Sequence, residues 1–263
     1  MAEPIFQVSD LRVDVPDMTR KPLFASAPRL EILKGVSFDI ARGAVLGIVG
    51  GSGSGKTTLG RTLVRLIEPS AGRLLFDGRD IAHLSDAEMR GLRPRIQMIF
   101  QDPMSSLNPR LTVGRTIAAP LGAKTGDARV NAALEQVGLP ADFAKRYPHE
   151  LSGGQRQRVG IARAIAMRPD FILADEIVSG LDVSSQAQVL MLLEQLVADL
   201  GLTLVFISHD LSVIRRLCSR VIVLRSGEVV EDAASADLFE RPQHAYTREL
   251  LDAIPIPDPS VRW

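Results

Sequence analysis

The residues whose types and spacing could do chemistry begin with Gly50-Gly51-Ser52-Gly53-Ser54-Gly55-Lys56-Thr57, followed by Thr58. The run fits G-x-x-x-x-G-K-[ST], and it lies between an apolar strand pattern and a helical one, the context that this spacing requires. Its glycines let backbone N–H groups converge on phosphate oxygens, and the helix start adds a favourable dipole. Lys56 would reach the β- and γ-phosphates, and the Thr57 hydroxyl would ligate Mg²⁺. Two carboxylates, Asp175 and Glu176, close another apolar run. Asp175 is expected in the Mg²⁺ shell, while Glu176 would polarise a water for in-line attack on the γ-phosphate. His209 ends a further run, with an imidazole suited to contact with the γ-phosphate or with Glu176 and its water.

These residues need a scaffold that gathers distant segments. Four short apolar runs are continuous rather than alternating, the mark of buried parallel strands. Ala44 to Val49 ends in the glycine loop, Arg95 to Phe100 in Gln101, Phe171 to Ala174 in Asp175, and Thr203 to Ser208 in His209. In open α/β sheets ligands sit beyond the carboxyl ends of strands, so these four ends predict one shared site. Helices are expected from Lys56 and over Val183 to Leu200. The second has Asp182 as N-cap and Val189, Leu193, Leu196, Val197 and Leu200 on one face. From 102 to 158 the pattern changes to helices and proline-broken loops, read as a helical subdomain inserted in the sheet domain. Within it Leu151-Ser152-Gly153-Gly154-Gln155 precedes a helical run from Arg156, so Ser152 and two glycines stand where free N–H groups gather. One phosphate loop has no need of this second anion-binding feature unless it serves a nucleotide held by another copy or a partner.

Composition narrows the class. A chain of 263 residues with 46% hydrophobic residues supports one substantial core, or one core with a smaller subdomain. Lys+Arg and Asp+Glu number 31 each, so no broad footprint for nucleic acid is expected. The single cysteine, Cys218, excludes an internal disulfide and reads as a buried apolar residue. No apolar run approaches a membrane span, so the chain is expected to be cytoplasmic, with any membrane role supplied by partners.

The order of these motifs resembles the ATP-binding cassette ATPases. Walker A at Gly50 to Thr57, Gln101, the signature Leu151 to Gln155, Walker B Asp175 with Glu176, Ser179-Gly180-Leu181-Asp182 and His209 all follow that family's sequence. The resemblance implies a P-loop α/β fold with a mostly parallel core sheet, an antiparallel β subdomain and an inserted helical subdomain. It implies a cassette over 1–240 and a tail over 241–263. ATP and Mg²⁺ would lie between one chain's Walker A and the other's signature in a head-to-tail dimer. Ser152, Gly153, Gly154, Gln155 and Asp182 would then bind the partner's nucleotide, and Gln101 would contact both nucleotide and metal.

Phe100 to Arg110, Tyr147 to Gln155 and the tail from Arg241 to Pro259 look like the oligopeptide, dipeptide and nickel importer ATPases. That branch implies two permease subunits, a second ATPase, an extracytoplasmic solute-binding protein, and a place on the cytoplasmic face of the inner membrane. Departures are specific. Ile177-Val178 stands where the family has Pro-Thr, Gly180 where alanine is usual, and Gly51 where glutamate is common. Aliphatic Val13 to Val15 replaces an adenine-stacking aromatic, with Phe24 as a substitute. Two other readings stay open: a soluble cassette ATPase of DNA repair or translation, and a nucleotide-binding module without useful turnover. The short stretch between Gln101 and Ser152 leaves no room for the long coiled-coil insertion of the first.

Overall fold

The computed structural model describes residues 3–16, 27–102 and 106–253. Phe24, residues 103–105 and the proline-rich end of the tail lie outside them.

Alternating sequence builds the first layer. Strands β1 (Pro4–Pro16) and β2 (Arg29–Ala41) pair antiparallel, with Ile5, Val8, Leu11 and Val13 of β1 facing inward. Strand β3 (Val45–Val49) runs through the glycine loop into helix α1 (Lys56–Leu63). Strands β4 (Ala71–Phe76) and β5 (Arg79–Asp80) then return to the first layer, completing a four-stranded sheet in the order β2-β1-β4-β5. The short helix α2 (Asp86–Met89), closed by a Ser85–Glu88 capping box, leads to β6 (Ile96–Ile99).

Between β6 and the next strand the chain is helical. It passes through α3 (Val113–Leu121), α4 (Ala128–Gln136), two 3-10 turns at Ala141–Lys145 and Pro148–Glu150, and α5 (Gly153–Ile165). The expected helical start at Arg156 moves back to Gly153, because Ser152 caps the helix there. Strand β7 (Phe171–Asp175), helix α6 (Val183–Leu200), β8 (Thr203–Ile207), α7 (Leu211–Leu217), β9 (Arg220–Arg225), β10 (Glu228–Ala234), α8 (Ser235–Glu240) and α9 (Ala245–Asp252) complete the order.

The second sheet has the order β10-β9-β3-β8-β7-β6, parallel except for β10. The four predicted runs are four of its strands. The fifth parallel member, β9, carries the continuous apolar run Val221 to Leu224, a signal as clear as the others but not read from the sequence. Continuous hydrophobicity has a geometric cause here, since alternate residues enter two different cores. Ile48, Leu173, Val205, Ile207, Ile222 and Leu224 face the antiparallel layer and α1, whereas Val49, Ile172, Ala174, Leu204, Phe206 and Val223 face the helices.

Helix α6 bears its predicted bounds and its Asp182 cap, which accepts from the Ser185 N–H at 2.9 Å. Along the predicted face Val189, Leu193 and Leu196 are buried together with Leu190, Val197 is half-buried and Leu200 is exposed. Gly201 ends the helix at φ +61°. Cys218 is buried, and its burial pushes the thiol up to about 12. Among the described residues no helix is long and apolar enough to cross a membrane.

Candidate nucleotide site

The loop from Gly50 to Thr57 turns directly from β3 into α1. Gly50 has φ +152°, and a Cβ there would lie 2.2 Å from the Leu224 carbonyl oxygen of neighbouring β9. Gly55 caps α1 at φ +102° with no side-chain cap, leaving the first N–H groups of the helix open toward the cavity. The loop is tied from behind, where the Ser54 carbonyl accepts from the Gly227 N–H at 2.9 Å. Lys56 folds over it and donates to the carbonyls of Gly50 at 2.8 Å and Gly51 at 2.9 Å. Its burial lowers the ammonium's pKa, partly offset by the attraction of Glu176 and Asp175.

Asp175, the last residue of β7, is 2% exposed, and its Oδ1 faces the Thr57 hydroxyl at 3.5 Å. Burial pushes this carboxyl up, against the pull of Arg61, while Glu176 adds to the rise. A buried carboxylate and a hydroxyl form an oxygen donor pair of the kind Mg²⁺ takes when phosphates and water supply the rest of its shell. No cluster of three His, Cys, Asp or Glu able to hold a metal occurs among the described residues.

Glu176 points elsewhere because its backbone turns into the left-handed region, φ +49°. Hydrogen bonds on both sides hold this conformation. The Glu176 N–H donates to the Ile207 carbonyl at 2.9 Å, and its carbonyl accepts from the Ser179 hydroxyl at 2.7 Å. Ile177 and Val178, where the family's Pro-Thr would be, are 1% and 5% exposed and anchor the turn in the core. Gly180 adopts φ +77°, which the usual alanine would strain. The Glu176 carboxylate accepts from Gln101 Nε2 at 2.9 Å and lies 3.6 Å from His209 Nδ1. The four strand ends therefore do converge. Gly50, Gly51, Ser52, Gly53, Lys56, Thr57, Glu176 and His209 line one open cavity of about 860 Å³. Ser54 is turned inward, with its hydroxyl buried, and Thr58 starts the second half of the first helical turn, accepting from Thr62 Oγ1.

Ser152, Gly153, Gly154 and Gln155 are not among the residues lining this cavity. They form the start of α5, where Ser152 and Gln155 close a capping box: Ser152 Oγ accepts from the Gln155 N–H at 3.3 Å and Gln155 Oε1 from the Ser152 N–H at 3.0 Å. As the first residues of a helix, Gly153 and Gly154 have no intrahelical acceptors for their N–H groups. Asp182 likewise lies outside the cavity, capping α6.

A family model described as ABC transporter matches residues 33–179, more than half of the chain. A protein of Brucella ovis, provisionally named a peptide import ATP-binding protein, is 59% identical over 239 residues, which cover 89% of this chain and 75% of the relative. The chain belongs to the ABC transporter ATPase family. The glutathione import ATP-binding protein GsiA of Pectobacterium atrosepticum is 48% identical over 99% of this chain, which spans only 43% of that longer protein. Among solved structures, the ATP-binding cassette MJ0796 in a dimeric post-hydrolysis state bound to ADP and Pi has a TM-score of 0.76. It is 32% identical and covers 88% of this chain and 98% of its own. Clostridium perfringens cbiO1, part of the transporter complex cbiONQ, has a TM-score of 0.77 at 29% identity, covering 91% and 92%.

This cassette contains two features that sequence reasoning missed. Val13 is fully buried in the antiparallel layer, so the aliphatic segment it belongs to faces a core rather than a base. Tyr246 of α9, within the tail, reaches the phosphate loop and accepts from the Gly51 N–H at 2.8 Å. No local signal links residues this far apart in the chain.

Proposed function

We propose that this cassette hydrolyses ATP to drive import of peptides or similar small solutes through two partner permeases, from the cytoplasmic face of the cell membrane. The observation that carries the reading is the Glu176 carboxylate held between Gln101 and His209 at the rim of a phosphate-loop cavity. The names of the relatives support the peptide class of solute.

In this reading the amides from Gly53 to Thr58 cradle the phosphates, and Lys56 exchanges the Gly50 and Gly51 carbonyls for β- and γ-phosphate oxygens. Thr57, Asp175 and Gln101 would hold an Mg²⁺, which would supply positive charge against the phosphates. Glu176 accepts the proton of the attacking water, with His209 and Gln101 fixing its orientation. Ser152, Gly153, Gly154, Gln155 and Asp182 serve the nucleotide of a second cassette, identical or different, so closure requires a dimer. An extracytoplasmic solute-binding protein would deliver cargo to the permeases. The test is to purify tagged Glu176→Gln chain from solubilised membranes with ATP present and to identify its companions by mass spectrometry. Two permeases are expected, and recovery of the chain alone would overturn the transport reading.

A further inference from the structure

Helix α9 is strapped to the body at three points. The Glu231 carboxylate on β10 accepts from the Gln243 N–H at 2.8 Å, the His244 N–H at 3.0 Å and the Thr247 hydroxyl. His244 Nδ1 accepts from the Tyr246 N–H at 3.1 Å and so caps the helix. The Arg225 guanidinium stands over the Tyr246 ring, 4.8 Å from its centroid. This strapping delivers one polar atom to the nucleotide loop, the Tyr246 hydroxyl, 2.8 Å from the Gly51 nitrogen. Leu250 and Ala253 of the same segment line the cavity. Space at the contact is matched on both sides, because a Cβ on Gly51 would lie 2.9 Å from the Tyr246 oxygen.

We propose that Tyr246 is a positioning residue for nucleotide binding: by accepting the Gly51 N–H it fixes the first peptide of the phosphate loop, and the glycine at 51 exists to admit it. The proposal rests on the reading of Gly50 to Thr57 as the ATP loop. The peptide anchored in this way joins the Gly50 carbonyl, which receives Lys56 at 2.8 Å, to the Gly51 N–H, so releasing it also loosens the resting place of the lysine. Tyr246 bonds to the loop and not to Glu176, and its effect therefore falls on binding and not on the chemical step.

The test uses the full chain. Tyr246→Phe keeps the ring and its Arg225 contact, and is expected to weaken MgATP binding by calorimetry about 3- to 10-fold, the scale of one net hydrogen bond. The KM for ATP should rise by a similar factor while kcat changes by less than about twofold. Gly51→Ala, which pushes the hydroxyl away, should weaken binding comparably, and the double variant should be no worse than the weaker single one. Wild-type affinity in Tyr246→Phe, or losses that multiply in the double variant, would overturn the proposal. A purely structural role would lower the melting temperature and leave KM unmoved. Lys56→Ala separates the two readings: if it too binds ATP normally, the loop assignment has failed, and if it alone loses binding, only the role of Tyr246 has.

Discussion

At the scale of residues, the site holds a carboxylate in an environment that resists its charge. Burial raises the pKa of Asp175, which means the folded chain without ligand is destabilised at neutral pH by keeping that group ionised. Asp175→Asn is therefore expected to raise the melting temperature of the nucleotide-free chain while removing the Mg²⁺ dependence of nucleotide binding. A calorimetric comparison with and without Mg²⁺ checks both halves. Glu176→Gln should behave differently, binding ATP normally but hydrolysing it about 10²- to 10⁴-fold more slowly, as expected for loss of a general base. Phosphate release in single turnovers measures this, and a full-rate variant would remove Glu176 from the mechanism. The residues of this site were legible because each is a chemically distinctive type at the end of an apolar run. The left-handed turn at Glu176 was not, since Ile177 and Val178 signal burial but not the hydrogen bonds from Ser179 and to Ile207 that hold φ positive.

At the scale of elements, sequence reading succeeded where a pattern is local and failed where a partner decides. The bounds of α6 follow from the Asp182 cap and the Gly201 stop, both written in the chain. Which of its apolar residues are buried depends on what packs against the helix, so Leu200 is exposed and Leu190 is not. The tail is the sharper case: its period shows an amphipathic helix, whereas its position comes from Glu231 on another element. That strap titrates. Burial pushes the Glu231 carboxyl up, but the hydrogen bonds from Gln243, Thr247 and His244 outweigh it, and the net pKa is below the ordinary 4.5. A depressed carboxylate stabilises the fold fully above its unfolded value and loses that contribution as pH falls through the folded one. Glu231→Gln is expected to melt below the wild type at pH 7, and the gap should close as the pH is lowered under about 4. A gap independent of pH would show that the charge does not hold the tail.

At the scale of the whole molecule, a single cassette presents half of each feature that the proposed cycle needs. The phosphate loop opens into a cavity, and the N-terminus of α5 is displayed elsewhere. With hydrolysis blocked by Glu176→Gln, ATP is expected to convert the purified chain to a dimer in size-exclusion chromatography. Adding Gly153→Asp should abolish dimerisation without weakening ATP binding to the loop. A Cβ at Gly153 meets only Leu181, at 3.6 Å, and a carboxylate at this helix start suits the helix dipole while repelling a partner's phosphates. Persistence of the dimer would show that α5 does not face the second nucleotide. The contact between Gly51 and Tyr246 also joins residues 195 positions apart. At the ribosome, about 5 to 20 residues are added each second, so the phosphate loop emerges on the order of 10 to 40 seconds before the tyrosine that completes it. A nascent chain thus carries a loop with every phosphate-binding residue present and its anchor still unmade, and full nucleotide affinity arrives only once synthesis has passed Tyr246.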